Sequence, residues 1–241
     1  MMNETWTGWQ LSDFKQNDTS WIQHDDKTNT NYIYINIPKN ASSWMKNNFG
    51  GWFYNFRTNK FDQILPPEVE DLLKNPNPPT YVIILRDPIE RWLSGAAQAF
   101  FECPPDDPGF FMNYSDDLIF NTIVFDEHTA PQTMFLKNVD LSQVVWFDCT
   151  DNLTDQIVEW SQDKFKIELK PASDYAENAY KISKLNIPQR LDTNPSNWTM
   201  MQCIDALKHR LFSNAEHVEK LKEFYKDDYT LRESVEFYGT R

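Results

Sequence analysis

The chain has 241 residues and a net charge of −13, and it is 40% hydrophobic and 15% aromatic. That much apolar material can build a sizeable core, which excludes a disordered chain. The acidic balance speaks against a nucleic-acid partner or an anionic membrane surface. Any anion site must therefore be local, made from a few lysines, arginines and backbone N–H groups.

The opening "MMNETWTGWQLSDF" has neither the basic nor the apolar stretch of a signal peptide, and no apolar run reaches the length of a membrane span. A cytoplasmic protein without a membrane partner is expected. Cys103, Cys149 and Cys203 are far apart and form no CxxC pair. Free thiols are expected rather than a zinc site or disulfide framework, and no metal cluster stands out.

One domain is expected over residues 1–241, with residues 1–30 as a wrapping N-terminal segment. Tyr32–Ile37 is rich in β-branched and aromatic residues and predicts a strand. Ser42 or Ser43 then caps a helix running to about Phe56. "PPEVEDLLKN" predicts a short helix and "NPNPPT" a connector. Tyr81–Leu85 is a continuous apolar run, the pattern of a strand buried on both faces. "DPIERWLSGAAQAFF" follows as a helix with Pro88 at its start. "ECPPDDPGFFMNYS" is a loop by its Pro, Asp and Gly content. A helix over "DDLIFNTIVF", a strand over Val144–Phe147 and a helix over "NLTDQIVEWSQ" come next. A polar stretch from about Lys170 to Asn197 predicts loops, and helices are expected over Trp198–Phe212 and Asn214–Tyr225.

Strands alternating with helices predict an α/β fold with a central parallel sheet flanked by helices. Ligands of such sheets bind beyond the carboxyl ends of the strands. Two strand ends, Ile37-Pro38-Lys39 and Leu85-Arg86-Asp87, carry a cation there. The turn Lys39-Asn40-Ala41-Ser42-Ser43 has small side chains where a helix begins. Backbone N–H groups, the two hydroxyls and Lys39 could together hold a phosphate, in a P-loop-like strand–turn–helix. An ordinary capped helix with a solvated lysine fits equally well. It is not a Walker A loop, since no glycine lies between Tyr32 and Phe49, and no GxGxxG occurs in the chain. Arg86 suits a phosphate through its guanidinium fork, and Ser94 lies eight positions on in the next helix. Pairing of Arg86 with Asp87 or Glu90 is the plainer alternative.

Taken together, "PKNASSW" and "RDPIERWLS" resemble the two cofactor motifs of sulfotransferases that use 3′-phosphoadenosine 5′-phosphosulfate (PAPS). The likeness is greatest to the carbohydrate sulfotransferases of the Golgi type, the chondroitin- and heparan-like enzymes, and it covers roughly residues 33–100. "DEHTAPQTMFL" is similar to a His-x-x-Pro-Gln stretch of that branch, and "YKDDYTL" to a Tyr/Asp-containing tail element. The resemblance implies that the backbone of Asn40, Ala41, Ser42 and Ser43 and the serine hydroxyls hold the 5′-phosphosulfate. It implies Lys39 on the bridging oxygen, Trp44 stacked on adenine, and Arg86 and Ser94 on the 3′-phosphate. Where the family usually has glycine this chain has Ala41, and alanine is tolerated there only if the residue avoids positive φ.

The implied reaction moves a sulfuryl group from PAPS to an acceptor hydroxyl and leaves adenosine 3′,5′-bisphosphate (PAP), with no metal required. It needs a base. No histidine lies between Lys46 and Arg86, where the cytosolic small-molecule enzymes carry theirs. Of His24, His128, His209 and His217, the best placed is His128, in the acidic loop "FDEHTAPQ", with Glu127, Asp126 and Glu102 as fallbacks. Phe110, Phe111 and Tyr114 could face a sugar or an aromatic ring. Lys181, Lys184 and Arg190 could meet cofactor phosphates or a uronate. A neutral or weakly charged saccharide is the expected acceptor. Two rival classes remain open here: a nucleotide-dependent kinase with a degenerate phosphate loop, and a non-catalytic nucleotide- or glycan-binding module.

Overall fold

The middle strand of the parallel pairing, Thr80–Leu85, has the longest uninterrupted apolar run of the sheet, and its last four residues are buried. It is β5 in chain order. The strands before it are β1 (Thr19–Asp25), β2 (Thr30–Tyr34), β3 (Trp52–Asn55) and β4 (Lys60–Phe61), and β6 (Val144–Asp148) follows it. The computed structural model describes residues 19–49, 52–55, 60–61, 71, 74–101, 115–137, 139–162, 164–165, 169 and 200–240. The strands form one sheet in the order β4-β3-β1-β2-β5-β6.

β2, β5 and β6 run parallel, with Ile33 beside Tyr81 and Leu85 beside Asp148. β1 runs antiparallel to β2 and to β3, so the sheet is mixed and not the parallel sheet expected. The reason is local. Residues 26–29 make a tight turn with Asn29 at φ 53°, and so short a link joins only antiparallel neighbours. Asp25 fastens that turn, its carboxylate accepting from the Lys27 N–H and the Thr28 hydroxyl, both at 2.9 Å. Part of the supposed wrapping segment is thus an interior strand.

Helices cover both faces. The cluster on one face joins Ile33, Ile83 and Leu85 to α2 (Pro88–Phe101), α3 (Asp116–Thr122), a 3-10 helix (Gln132–Leu136), α5 (Met200–Phe212) and α6 (Ala215–Phe224). The other joins Tyr32, Tyr34, Val82 and Ile84 to α1 (Ser42–Phe49) and α4 (Leu153–Gln162). The faces alternate residue by residue, as the pleat requires. Aromatic packing dominates the second cluster; Trp21 stacks on Phe49 with centroids 4.5 Å apart.

α1 stops at Phe49, short of the expected Phe56, because Trp52-Phe53-Tyr54 suits a strand better than a helix end. The expected helix at Pro66 lies mostly outside the described residues. At the C-terminus Asn214 caps α6 by accepting from the Glu216 N–H at 3.0 Å. A further helix, α7 (Lys226–Ser234), follows at once. The chain then runs along the outer edge of β6, where the Tyr238 N–H donates to Trp146. Among the described residues, no helix is long and apolar enough to cross a membrane.

Candidate functional site

The three parallel strands end side by side, so their following turns share one edge of the sheet. The β2 turn carries Lys39, the β5 turn Arg86, and β6 ends in Asp148 with Cys149 next. The Arg86 Nη1 donates to the Lys39 carbonyl at 3.3 Å. On the β6 side, Arg232 from α7 grips both Asp148 oxygens at 2.6 Å. Burial pushes the Cys149 thiol up from its ordinary value, and the nearby Arg86 and Arg232 guanidinium groups oppose that rise.

The β2 turn is strained. Lys39 sits at φ 70° and Ala41 at φ 60°, the left-handed region that an L-residue enters at a cost of about 1–2 kcal/mol. The condition set on Ala41, that it avoid positive φ, is therefore not met. The chain must reverse within four residues, between the Ile37 carbonyl, which accepts from the Asn40 N–H at 3.1 Å, and the start of α1. The helix-opening bond runs from the Met45 N–H to the Ala41 carbonyl at 3.1 Å, so Ala41 holds the capping position and Ser42 and Ser43 are already helical. Neither serine is the cap. Alanine has no side-chain acceptor to offer the first-turn N–H groups, which have no acceptor within the helix either.

Two further residues of this stretch are packed inside. The Asn40 N–H is committed to Ile37, and its side chain is fully buried, donating to the Ile84 carbonyl at 2.7 Å and to Gln132 Oε1 at 2.6 Å. Asn40 is thus a tie between turn and sheet. Trp44 is only 6% exposed and packs edge-on to Phe49 within the aromatic cluster. Its ring is part of the core packing in this structure.

The β5 turn is relaxed by comparison. Asp87 does not pair with Arg86; its Oδ1 accepts from the Ile89 and Glu90 N–H groups at 2.9 and 3.0 Å and caps α2, with Pro88 next in line. Glu90 instead faces Lys208 at 3.4 Å. Ser94 is half-buried on the second turn of α2. Next to it, Gly95 lies against the loop after α3. A Cβ there would stand 2.3 Å from the His128 carbonyl oxygen, so only glycine lets that loop sit down on α2.

That loop carries the candidate base. His128 is half-buried; its Nδ1 lies 3.0 Å from Asp126 Oδ2, and its own N–H donates to Asp126 Oδ1 at 2.8 Å. Arg91 of α2 links this loop to the β2 turn. The guanidinium, 1% exposed, donates to the Pro38 carbonyl at 2.8 Å, to the Glu127 carbonyl at 3.0 Å and to the Ala130 carbonyl. Burial draws its pKa down, and Tyr225 and Asp228 pull the other way. Potential ligand atoms of Asp126, Glu127 and His128 lie within 4.8 Å of one another, but Asp126 is already engaged by His128. Among the other histidines, His24 faces Asn31 at 2.7 Å and His217 stacks on Phe120.

Several residues that organise the edge were not singled out in the sequence as site residues: Arg91, Gln132, Tyr225 and Asp228. Gln132 Oε1 accepts from the Arg86 N–H at 3.0 Å, and its Nε2 donates to the Arg86 carbonyl at 2.9 Å. Asp228 of α7 accepts from the Gln132 and Thr133 N–H groups and the Thr133 hydroxyl. Tyr225 donates to the Thr129 carbonyl. The stretches "DEHTAPQ" and "YKDDY" were the available signals, and both lead to this network. Glu102, Phe110, Phe111, Tyr114, Lys181, Lys184 and Arg190 lie outside the described residues. No protein-family model matches the chain, and neither a curated protein nor a solved structure does.

Proposed function

We propose that the chain transfers a sulfuryl group from PAPS to a hydroxyl of an acceptor of the saccharide class. One observation carries the reading. The two motifs that resemble sulfotransferase elements end neighbouring parallel strands, and Arg86 of one reaches the Lys39 carbonyl of the other. A nucleotide with phosphates at both ends of its ribose needs two such anion-binding points within one ligand's length. The helix start of α1, with an alanine in the capping position, suits the 5′-phosphosulfate. Arg86 and Ser94 suit the 3′-phosphate.

In the reaction, the acceptor oxygen attacks sulfur and the bond between sulfur and the bridging oxygen breaks. The electron pair goes to that oxygen, now a phosphate oxygen of PAP. Lys39 neutralises the developing charge. The acceptor proton passes to His128 through Nε2, because Nδ1 faces Asp126. The rival kinase reading asks for a site that prefers a nucleotide without a 3′-phosphate.

The test is calorimetry with PAP and ADP side by side. PAP is expected to bind more tightly, and Arg86→Ala to remove about 1.5–3 kcal/mol of that preference. Equal binding of PAP and ADP would sink the reading, and tighter binding of ATP or ADP would favour the kinase. Lys39→Ala and His128→Ala should slow transfer far more than they weaken PAP, because PAP carries no sulfuryl group and touches no acceptor base.

A further inference from the structure

The end of β5 departs from an ordinary strand end. Leu85 closes the ladder, its carbonyl accepting from the Cys149 N–H at 2.7 Å. One residue on, the Arg86 N–H and C=O turn away from the sheet and both pair with the Gln132 side-chain amide. The same Oε1 also accepts from the Asn40 Nδ2 in the β2 turn. A single side chain, 1% exposed, thereby spans both turns, and Asp228 holds its backbone from behind at 2.7 Å.

We propose that Gln132 is a positioning residue that sets Arg86 against the Lys39–Ser43 turn, and so fixes the site's preference for a nucleotide bearing a 3′-phosphate. The proposal rests on the nucleotide reading above. Its physical basis is the double grip on Arg86. With both peptide groups of that residue held, the guanidinium leaves the backbone from a fixed origin, and its distance to the α1 helix start is set. Without Gln132 the Arg86 backbone has no second anchor beyond the last rung of the sheet. A phosphate oxygen must be met within a few tenths of an ångström for a charge-assisted bond, so a loosened origin costs the 3′-phosphate contact first. ADP, which lacks that phosphate, does not use the contact.

The experiment is calorimetry with PAP and with ADP on the full chain, comparing wild type, Gln132→Met, Gln132→Glu, Arg86→Ala and the double Gln132→Met/Arg86→Ala. Wild type is expected to favour PAP by about tenfold or more. Gln132→Met should bring the PAP-to-ADP ratio within about threefold of Arg86→Ala while ADP affinity stays within about threefold of wild type. The double variant should be no less selective than Arg86→Ala alone, because the two changes remove one contact. Gln132→Glu keeps an acceptor for the Arg86 and Asn40 donors but has no donor for the Arg86 carbonyl; its ratio should fall between wild type and Gln132→Met. A ratio kept at the wild-type value in either Gln132 variant overturns the proposal, and Gln132→Glu alone decides if Gln132→Met does not fold. A parallel loss of PAP and ADP affinity overturns it too, since that marks a purely structural amide. Wild type without a preference for PAP is a separate failure, visible before any variant is measured, and it removes the nucleotide reading and this proposal together.

Discussion

The two strand-to-helix turns at the sheet edge solve the same problem in opposite ways. After β5, Asp87 caps α2 with its own carboxylate and Pro88 supplies the preset φ, so the turn satisfies itself. After β2, two left-handed residues bring the chain into α1 with an alanine in the capping position. That turn is held from outside, by Arg91 on the Pro38 carbonyl and by Asn40 on Ile84 and Gln132. The β2 turn stores backbone strain and depends on distant residues for its shape. A relaxed, self-capped one serves as the frame from which Arg86 projects.

Breaking the brace should have the largest effect. Arg91→Met leaves the Pro38, Glu127 and Ala130 carbonyls without their buried donor, and a loss of about 3 kcal/mol or more is predicted. Urea unfolding measures it; a loss under about 1 kcal/mol would mean that water replaces the guanidinium and that the turn is not braced there. The two caps should then respond with opposite signs. Asp87→Ala is predicted to cost about 1 kcal/mol, the usual value of a side-chain cap. Ala41→Gly is predicted to stabilise by about 0.5–1 kcal/mol, because relief of the left-handed strain outweighs the added freedom of the unfolded chain. Destabilisation by Ala41→Gly would show that the strain assigned to this turn is not there.

The smallest predicted effect concerns Asp228, behind Gln132. Burial raises its carboxyl above the ordinary 3.8, against the pull of the Thr133 and Gln132 N–H groups. The native chain therefore holds this proton more tightly than the unfolded one. Stability from this group is complete below pH 3.8 and falls as pH rises through the native pKa. Asp228→Asn removes that slope. Urea midpoints taken in pH steps across the acid range should show wild type losing ground to the variant; parallel curves would dismiss the raised carboxyl.

The parts of this architecture with a local cause were readable in the sequence. The apolar run of β5, the Asp-Pro start of α2 and the strand at Val144 all announce themselves within a few residues. β1 did not, because "TSWIQHD" has only Trp21 and Ile22 to bury, and they go to opposite faces. Trp44 stood out in the sequence only by its motif position, and its burial against Phe49 depends on packing that no short window shows. Arg91, Gln132 and Asp228 are polar residues whose partners lie far along the chain, so no window of sequence shows why they are buried. Ala41 could not be assigned its φ because the turn's geometry is fixed by those distant partners.

Asp228 grips Gln132 across 96 residues, Gln132 grips Arg86 across 46, and Arg91 holds Pro38 across 53. Assembly of the edge is consequently a late event. On a growing chain, β2, β5 and α2 are made long before α7 emerges, and they can pair before Gln132 has its backbone anchor. Contacts this remote close slowly, because the loops between them must be ordered first. A chain cut between the end of β6 and Asp228 therefore retains all six strands while lacking the last fastening of the two turns. In a refolding experiment the far-UV signal of the sheet and helices should recover ahead of hydrogen-exchange protection at the Arg86 N–H, which donates to Gln132.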